Sequence, residues 1–262
     1  GGYYNNWDFN KNLIQKYLKA VESSNIKFVE LGFRFKDLNK NKGLTAYTED
    51  SLLNSLNIPS TIDIGIMINA SDIIENEKVN INFLNKIFPL KTSKKIKFIR
   101  IACHHNEVLK LNNFFNYFKK FKIKIFVNIM QISEIEKNKL IEIINFLKDK
   151  DVGVIYIADS LGALTPKKLQ QLLHVLKKYW KKDVGLHAHD NLKLALKNSL
   201  FAINYGVKWI DSTITGMGRG PGNLQTEKII KHSSEHQITN KFNNVLKIFL
   251  RLKKFYKWGS NV

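Results

Sequence analysis

Val184-Gly-Leu-His-Ala-His-Asp-Asn191 is a short apolar run that ends in His-x-His. In a β-strand, residues i and i+2 leave the same face, so His187 and His189 project together. Neutral imidazole nitrogens bind Mn, Fe and Zn, and two donors carried by one strand lose little entropy on converging. The same spacing also fits two hydrogen-bonded histidines with no ligand. The segments on either side decide between these readings.

Outward from that stretch the chain alternates. Apolar, β-branched runs at 27–31, 61–68, 96–102, 123–129, 152–158, 184–187 and 207–210 read as strands. Each is trailed by a helical pattern, at 49–56, 79–88, 107–121, 134–148, 165–181, 192–205 and 224–231, and another helix at 10–23 comes first. Thr165-Pro166 supplies an N-cap followed by proline at the first helical position. Buried parallel strands alternating with amphipathic helices make an α/β fold. A doubly wound sheet is one solution. Eight strands would instead close a TIM-type (β/α)8 barrel, with the first strand expected ahead of Gly1. Residues 1–235 are expected to form the barrel domain and 236–262 a C-terminal helical extension. The helix at 239–258 carries Phe242, Val245, Leu246, Phe249, Leu252 and Phe255 on one face. That face suits packing on the barrel or on a partner, or lying on a membrane surface.

Composition narrows the function. The 262 residues carry a formal charge of +20, but 38 of the 42 basic residues are Lys, spread along the chain rather than clustered as Arg. That is weak support for a phosphate-binding face, so no specific nucleic-acid partner is expected. A single cysteine, Cys103, allows neither an intrachain disulfide nor a Cys-based zinc site. No apolar run reaches the ~18 residues of a membrane span, and no signal pattern opens the chain. A cytoplasmic protein with no membrane partner is expected.

Barrels gather their chemistry at the C-terminal strand ends. Here those ends hold Glu30, followed by Arg34; Cys103-His-His105; Asn128 and Gln131; Asp159-Ser160; His187 and His189; and Asp211 with Thr213 and Thr215. After the last strand, Gly216-Met-Gly-Arg-Gly-Pro-Gly-Asn223 places glycine at every second position. Such a loop can wrap an anion or fold over a ligand, or be a flexible connection. Asn223 is placed either to cap the next helix or to give a carbonyl oxygen to a metal.

The stretches 184–191, Ala202-Ile-Asn-Tyr-Gly206 and 211–227 together resemble the DRE-TIM metallolyase superfamily. It includes 4-hydroxy-2-oxovalerate aldolase, 3-hydroxy-3-methylglutaryl-CoA lyase and 2-isopropylmalate synthase. The resemblance runs from Gly1 to about Lys231. It implies a first strand ending in an Arg-Asp pair just ahead of Gly1-Gly2. It also implies a divalent metal, Mn or Mg, held by that Asp, His187 and His189, with Asn223 a further ligand in the lyase and synthase branches. Glu30 resembles the catalytic Glu of those branches.

The implied function is a metal-dependent aldolase that cleaves or forms a 4-hydroxy-2-oxo acid through a metal-bound pyruvate enolate. Asp159 and Ser160 would orient the substrate, Gly218 and Arg219 would close over it, and Tyr3 or a metal-bound hydroxide would be the base. Tyr3 stands where the aldolase branch has a His, and the loop lacks the catalytic Cys of the CoA lyases. A Claisen-type condensation of an acyl-CoA with a 2-oxo acid is the alternative reaction. A non-catalytic scaffold is the alternative class. A small-molecule 2-oxo acid substrate and a homodimer are the expected partners.

Overall fold

Along 63–69, isoleucines at 64, 66 and 68 alternate with Gly65, Met67 and Asn69, and this two-residue period recurs in strand after strand. The computed structural model describes residues 1–89 and 94–259. In it the apolar runs become β1 (Phe28–Phe33), β2 (Asp63–Asn69), β3 (Ile96–Cys103), β4 (Lys124–Met130), β5 (Val154–Asp159), β6 (Asp183–Ala188) and β7 (Trp209–Ile210). They form one parallel sheet in chain order. The sheet curls until the Phe28 and Trp209 rings, at the starts of the first and last strands, lie 4.4 Å apart. β1 and β7 then line one cavity of about 980 Å³. This is the predicted TIM-type α/β architecture. The eighth strand expected ahead of Gly1 lies outside the described residues.

One set of alternate side chains, including Ile64, Ile66, Ile99, Ile101, Val127 and Ile155, is fully buried outside the sheet, under the helices. The other set faces inward. There Phe98, Phe126, Val154 and Tyr156 pack with Trp209, and two glycines make room for them. A Cβ on Gly65 would fall 1.9 Å from the Phe98 ring, and one on Gly185 would fall 2.5 Å from Tyr156.

The helices include α1 (Lys11–Ser23), α2 (Asp50–Ser55), α3 (Ile81–Ile87), α4 (Asn112–Phe118), α5 (Lys137–Lys148), α6 (Pro166–Tyr179), α7 (Ala195–Asn204), α8 (Thr226–Ile229) and α9 (Asn240–Tyr256). Thr165 caps α6 as predicted, its hydroxyl accepting from the Lys168 N–H at 3.3 Å. The helix expected over 107–121 is broken into His105–Val108, a 3₁₀ turn and α4. A capping box between His104 and Glu107 starts the first piece, so His104 and His105 shape a helix end. The sequence reading gave no sign of the small hairpin Ile74–Glu75 with Lys78–Val79. Its turn residues, Asn76 and Glu77, both have positive φ, and Asn-Glu lacks the glycine that normally announces such a turn.

α9 lays Phe242, Val245 and Phe249 against α1 and the 3₁₀ turn Ile214–Gly216 that follows β7, with the Phe249 ring 6.1 Å from both Phe9 and Tyr17. Its apolar face is therefore covered by this chain. Phe255 departs from the expected face at 76% exposure, and Trp258, beyond the turn at Lys257, is buried in its place. Among the described residues no helix is long and apolar enough to cross a membrane.

The glycine and aromatic pairing gives a direct test. Gly65→Ala should overpack the inner layer and lower stability by roughly 1–3 kcal/mol, read as a lower denaturant midpoint. Shrinking the neighbour as well, in Gly65→Ala/Phe98→Leu, should recover part of the loss.

Candidate active site

β6 delivers His187 to the inner face, directly beside the residue that follows β7: the Asp211 N–H donates to the Leu186 carbonyl at 3.0 Å. His187 Nδ1 lies 2.8 Å from Asp211 Oδ2. A carboxylate can only accept, so in the neutral ring Nδ1 carries the proton and Nε2 keeps its lone pair. The same Asp211 oxygen accepts from Arg100 Nη1. Arg100 Nε donates to Glu30 Oε2 at 2.6 Å, and its guanidinium stands 4.5 Å over the Tyr156 ring. Burial alone would lower the Arg100 pKa, but Asp211 and Glu30 outweigh it and hold the guanidinium above its ordinary value. Burial likewise opposes ionisation of Asp211, yet Arg100 and His187 keep its carboxyl below the usual range.

Arg100 was not anticipated from sequence. It sits inside an apolar strand, and its signal was positional: it shares the inward register with Phe98 and Ala102.

The glycine-rich loop folds back over the His-x-His segment. Asn223 pairs with His189 as an antiparallel bridge, the Leu224 N–H donates to Ala188, and the Asp190 N–H to Gly222. Asn223 therefore does not cap α8, whose N-cap is Gln225. Two glycines are required by this path. A Cβ on Gly218 would lie 2.4 Å from Asn223 Oδ1, and Gly222 combines φ +85° with the Gly216 carbonyl 2.5 Å from where its Cβ would be. The base of the loop is clamped: Thr215, at φ 56°, donates its N–H to Glu227 Oε2 at 3.0 Å, and Met217 is buried in the cluster formed with α9. Beyond it, Arg219 and Gly220 are exposed, with the Tyr4 hydroxyl donating to the Gly220 carbonyl at 3.2 Å.

A sequence model described as HMGL-like matches residues 16–249, most of the chain. The chain belongs to the HMGL-like family. It is 27% identical over 237 residues to the 4-hydroxy-2-oxovalerate aldolase of Brevibacillus brevis, covering 88% of this chain and 66% of that protein. It is 25% identical over 224 residues to that of Geobacillus stearothermophilus, covering 83% and 61%. The chain thus spans less than two thirds of the length of these relatives. Among solved structures it resembles "the N-terminal domain of a putative aldolase" from Bacteroides vulgatus, at TM-score 0.85 and 33% identity over 100% of this chain and 86% of that one. It shares its fold with the HMG-CoA lyase of Bacillus subtilis, at TM-score 0.75 and 11% identity over 98% and 92%.

HMGL-like proteins are generally divalent-metal dependent, and the residues at this rim suit such an ion. The His187 and His189 ring centres are 5.2 Å apart. His189 Nδ1 and Asn223 Oδ1 are buried without a hydrogen-bond partner. Such orphaned atoms are costly unless something else meets them. Among the described residues no three His, Cys, Asp or Glu side chains converge as a cage, so the donors offered here are two imidazoles and an amide oxygen.

The other expected site residues divide in this HMGL-like chain. Glu30 lines the same cavity as His187, Arg100 and Asn223. Tyr3 is 45% exposed, and burial pushes its phenol above 10 despite the opposing charge of Arg219. A base would need the opposite shift. Asp159 is buried and accepts the Ala163 and Leu164 N–H groups at 2.9 and 3.2 Å, which ties down its own loop; burial raises its pKa against those bonds. Ser160 accepts from the Gln131 N–H at 3.4 Å. Arg34 is a structural cation, bonded to the Thr48 carbonyl and to Asp50. Cys103 is buried and its thiol pushed up by burial, which leaves it inert.

His189 carries a pH signature. Burial first, then positive charge on His187 and on Arg219, push its pKa from 6.5 down to about 3. The folded, metal-free protein keeps it neutral, whereas the unfolded chain protonates it below about 6.5. Its contribution to stability is therefore complete above pH 6.5 and is lost as pH falls toward 3. NMR of the metal-free protein should show no titration of the His189 ring between pH 8 and 5, and His189→Gln should flatten the acid dependence of the unfolding midpoint.

Proposed function

We propose that this chain is the catalytic barrel of a divalent-metal-dependent carbon–carbon lyase that cleaves a 4-hydroxy-2-oxo acid to pyruvate and an aldehyde. The observation that carries the reading is the donor set at the rim: His187 with a free Nε2, and the orphaned atoms of His189 and Asn223, roofed by the glycine loop. The names of the relatives agree with it. His187, His189 and Asn223 would hold the cation. When bound, it supplies Lewis acidity toward the carboxylate and keto oxygens of a 2-oxo acid.

The chain's own residues do the rest. Asp211 fixes the His187 ring. Arg100 occupies Glu30 Oε2 and leaves Oε1 to accept the proton of the substrate's 4-hydroxyl. The C3–C4 pair then passes to C3 as the aldehyde forms, and C3 takes up a proton to give pyruvate. Tyr3, protonated at neutral pH, donates a hydrogen bond to the substrate instead of removing a proton. Arg219, on the exposed arc of the loop, meets the distal end of the substrate.

The test is pyruvate C3 proton exchange in heavy water with Mn²⁺ present. His187→Ala should lose both Mn²⁺ binding and exchange, down to the level of the metal-free protein. Wild-type values for both would end the proposal. Glu30 and Asn223 together also suit a condensation between an acyl-CoA and a 2-oxo acid, and thiol release from acetyl-CoA plus a 2-oxo acid would favour that reaction. A chain that binds no metal at all would instead be a scaffold.

A further inference from the structure

The charge at the centre of the barrel is carried by one residue of β3. Arg100 is 5% exposed, in the middle of β3, and its two hydrogen-bonded partners come from opposite ends of the sheet. Glu30 belongs to β1 and Asp211 follows β7. A guanidinium fixes the atoms it holds, because it is planar and presents its N–H groups in fixed directions. The Tyr156 ring beneath it, at 4.5 Å, restricts its tilt.

Asp211 Oδ2, which Arg100 holds, is also the atom that receives His187 Nδ1–H. The position of Arg100 therefore propagates to the imidazole. With Asp211 in place, the neutral ring carries its proton on Nδ1 and keeps the lone pair on Nε2. A drifting carboxylate would let the ring flip or exchange tautomers. We propose that Arg100 is a positioning residue: one buried guanidinium that, through Asp211, locks His187 with Nε2 free for a ligand. The proposal rests on the reading of His187 as a metal donor, but the ring's state can be measured without metal.

The experiment uses Arg100→Lys, which keeps the charge and loses the fork, and Glu30→Gln/Arg100→Met, which removes a carboxylate and the cation together so that no extra buried charge is left. Circular dichroism establishes folding. In the metal-free proteins, two-bond proton–nitrogen spectra report the His187 tautomer; in a second measurement, calorimetry reports Mn²⁺ affinity. Wild type should show a single Nδ1–H tautomer. The folded variants should show a mixture, with Mn²⁺ affinity weaker by roughly 10–100-fold, the usual effect of removing an outer partner of a ligating histidine. A folded variant with the wild-type tautomer and wild-type affinity overturns the proposal. Loss of fold in both variants also overturns it, by assigning Arg100 to stability alone. If wild type binds no Mn²⁺ while the tautomer still follows Arg100, the positioning role stands and the metal reading falls.

Discussion

A guanidinium enclosed by a barrel must be neutralised on the spot, and Arg100 meets that requirement with two carboxylates from opposite edges of the sheet. Burial works against the charges of Arg100 and Asp211, and the attraction of their oppositely charged neighbours outweighs it. Their arrangement is consequently rigid, since separating any pair would leave an uncompensated charge inside. The floor of aromatic rings below and the imidazoles above are both arranged around this layer. The Tyr156 ring supports the cation, and His187 takes its orientation from one of the anions.

Much of this was legible in the chain. The alternation of apolar residues gave the strands because each inner and outer position has a different neighbour: helices outside, other side chains within. The His-x-His run and the recurring glycines were readable because each demands a geometry that few other residues supply. Gly218 must be glycine since Asn223 lies against it, and Gly222 since its φ is positive. The cap at Thr165 followed from a purely local hydrogen bond.

What stayed hidden depended on the third dimension. Arg100 lies in an otherwise apolar run, and only its register with distant Glu30 and Asp211 shows its purpose. Asp159 looked like a substrate contact because it ends a strand beside Ser160, yet its carboxylate is engaged by the next loop. Tyr3 stood at the right place in sequence to serve as a base, but burial shifts its phenol the wrong way. Phe255 matched the helical stripe, and the reversal of the chain at Lys257 put Trp258 there instead. In each case spacing along the chain was correct, and the deciding contact came from a segment whose position spacing does not encode.

The exchange of bulk between Gly65 and Phe98, and between Gly185 and Tyr156, means that what must be kept constant inside the barrel is the summed volume of each neighbouring pair, not the identity of either member. Evolutionary drift along this interior is therefore expected to proceed by paired steps: a larger residue on one strand becomes admissible only once its neighbour across the ladder has shrunk. The layer carrying the charges has no such freedom, because directional bonds cannot be traded for volume.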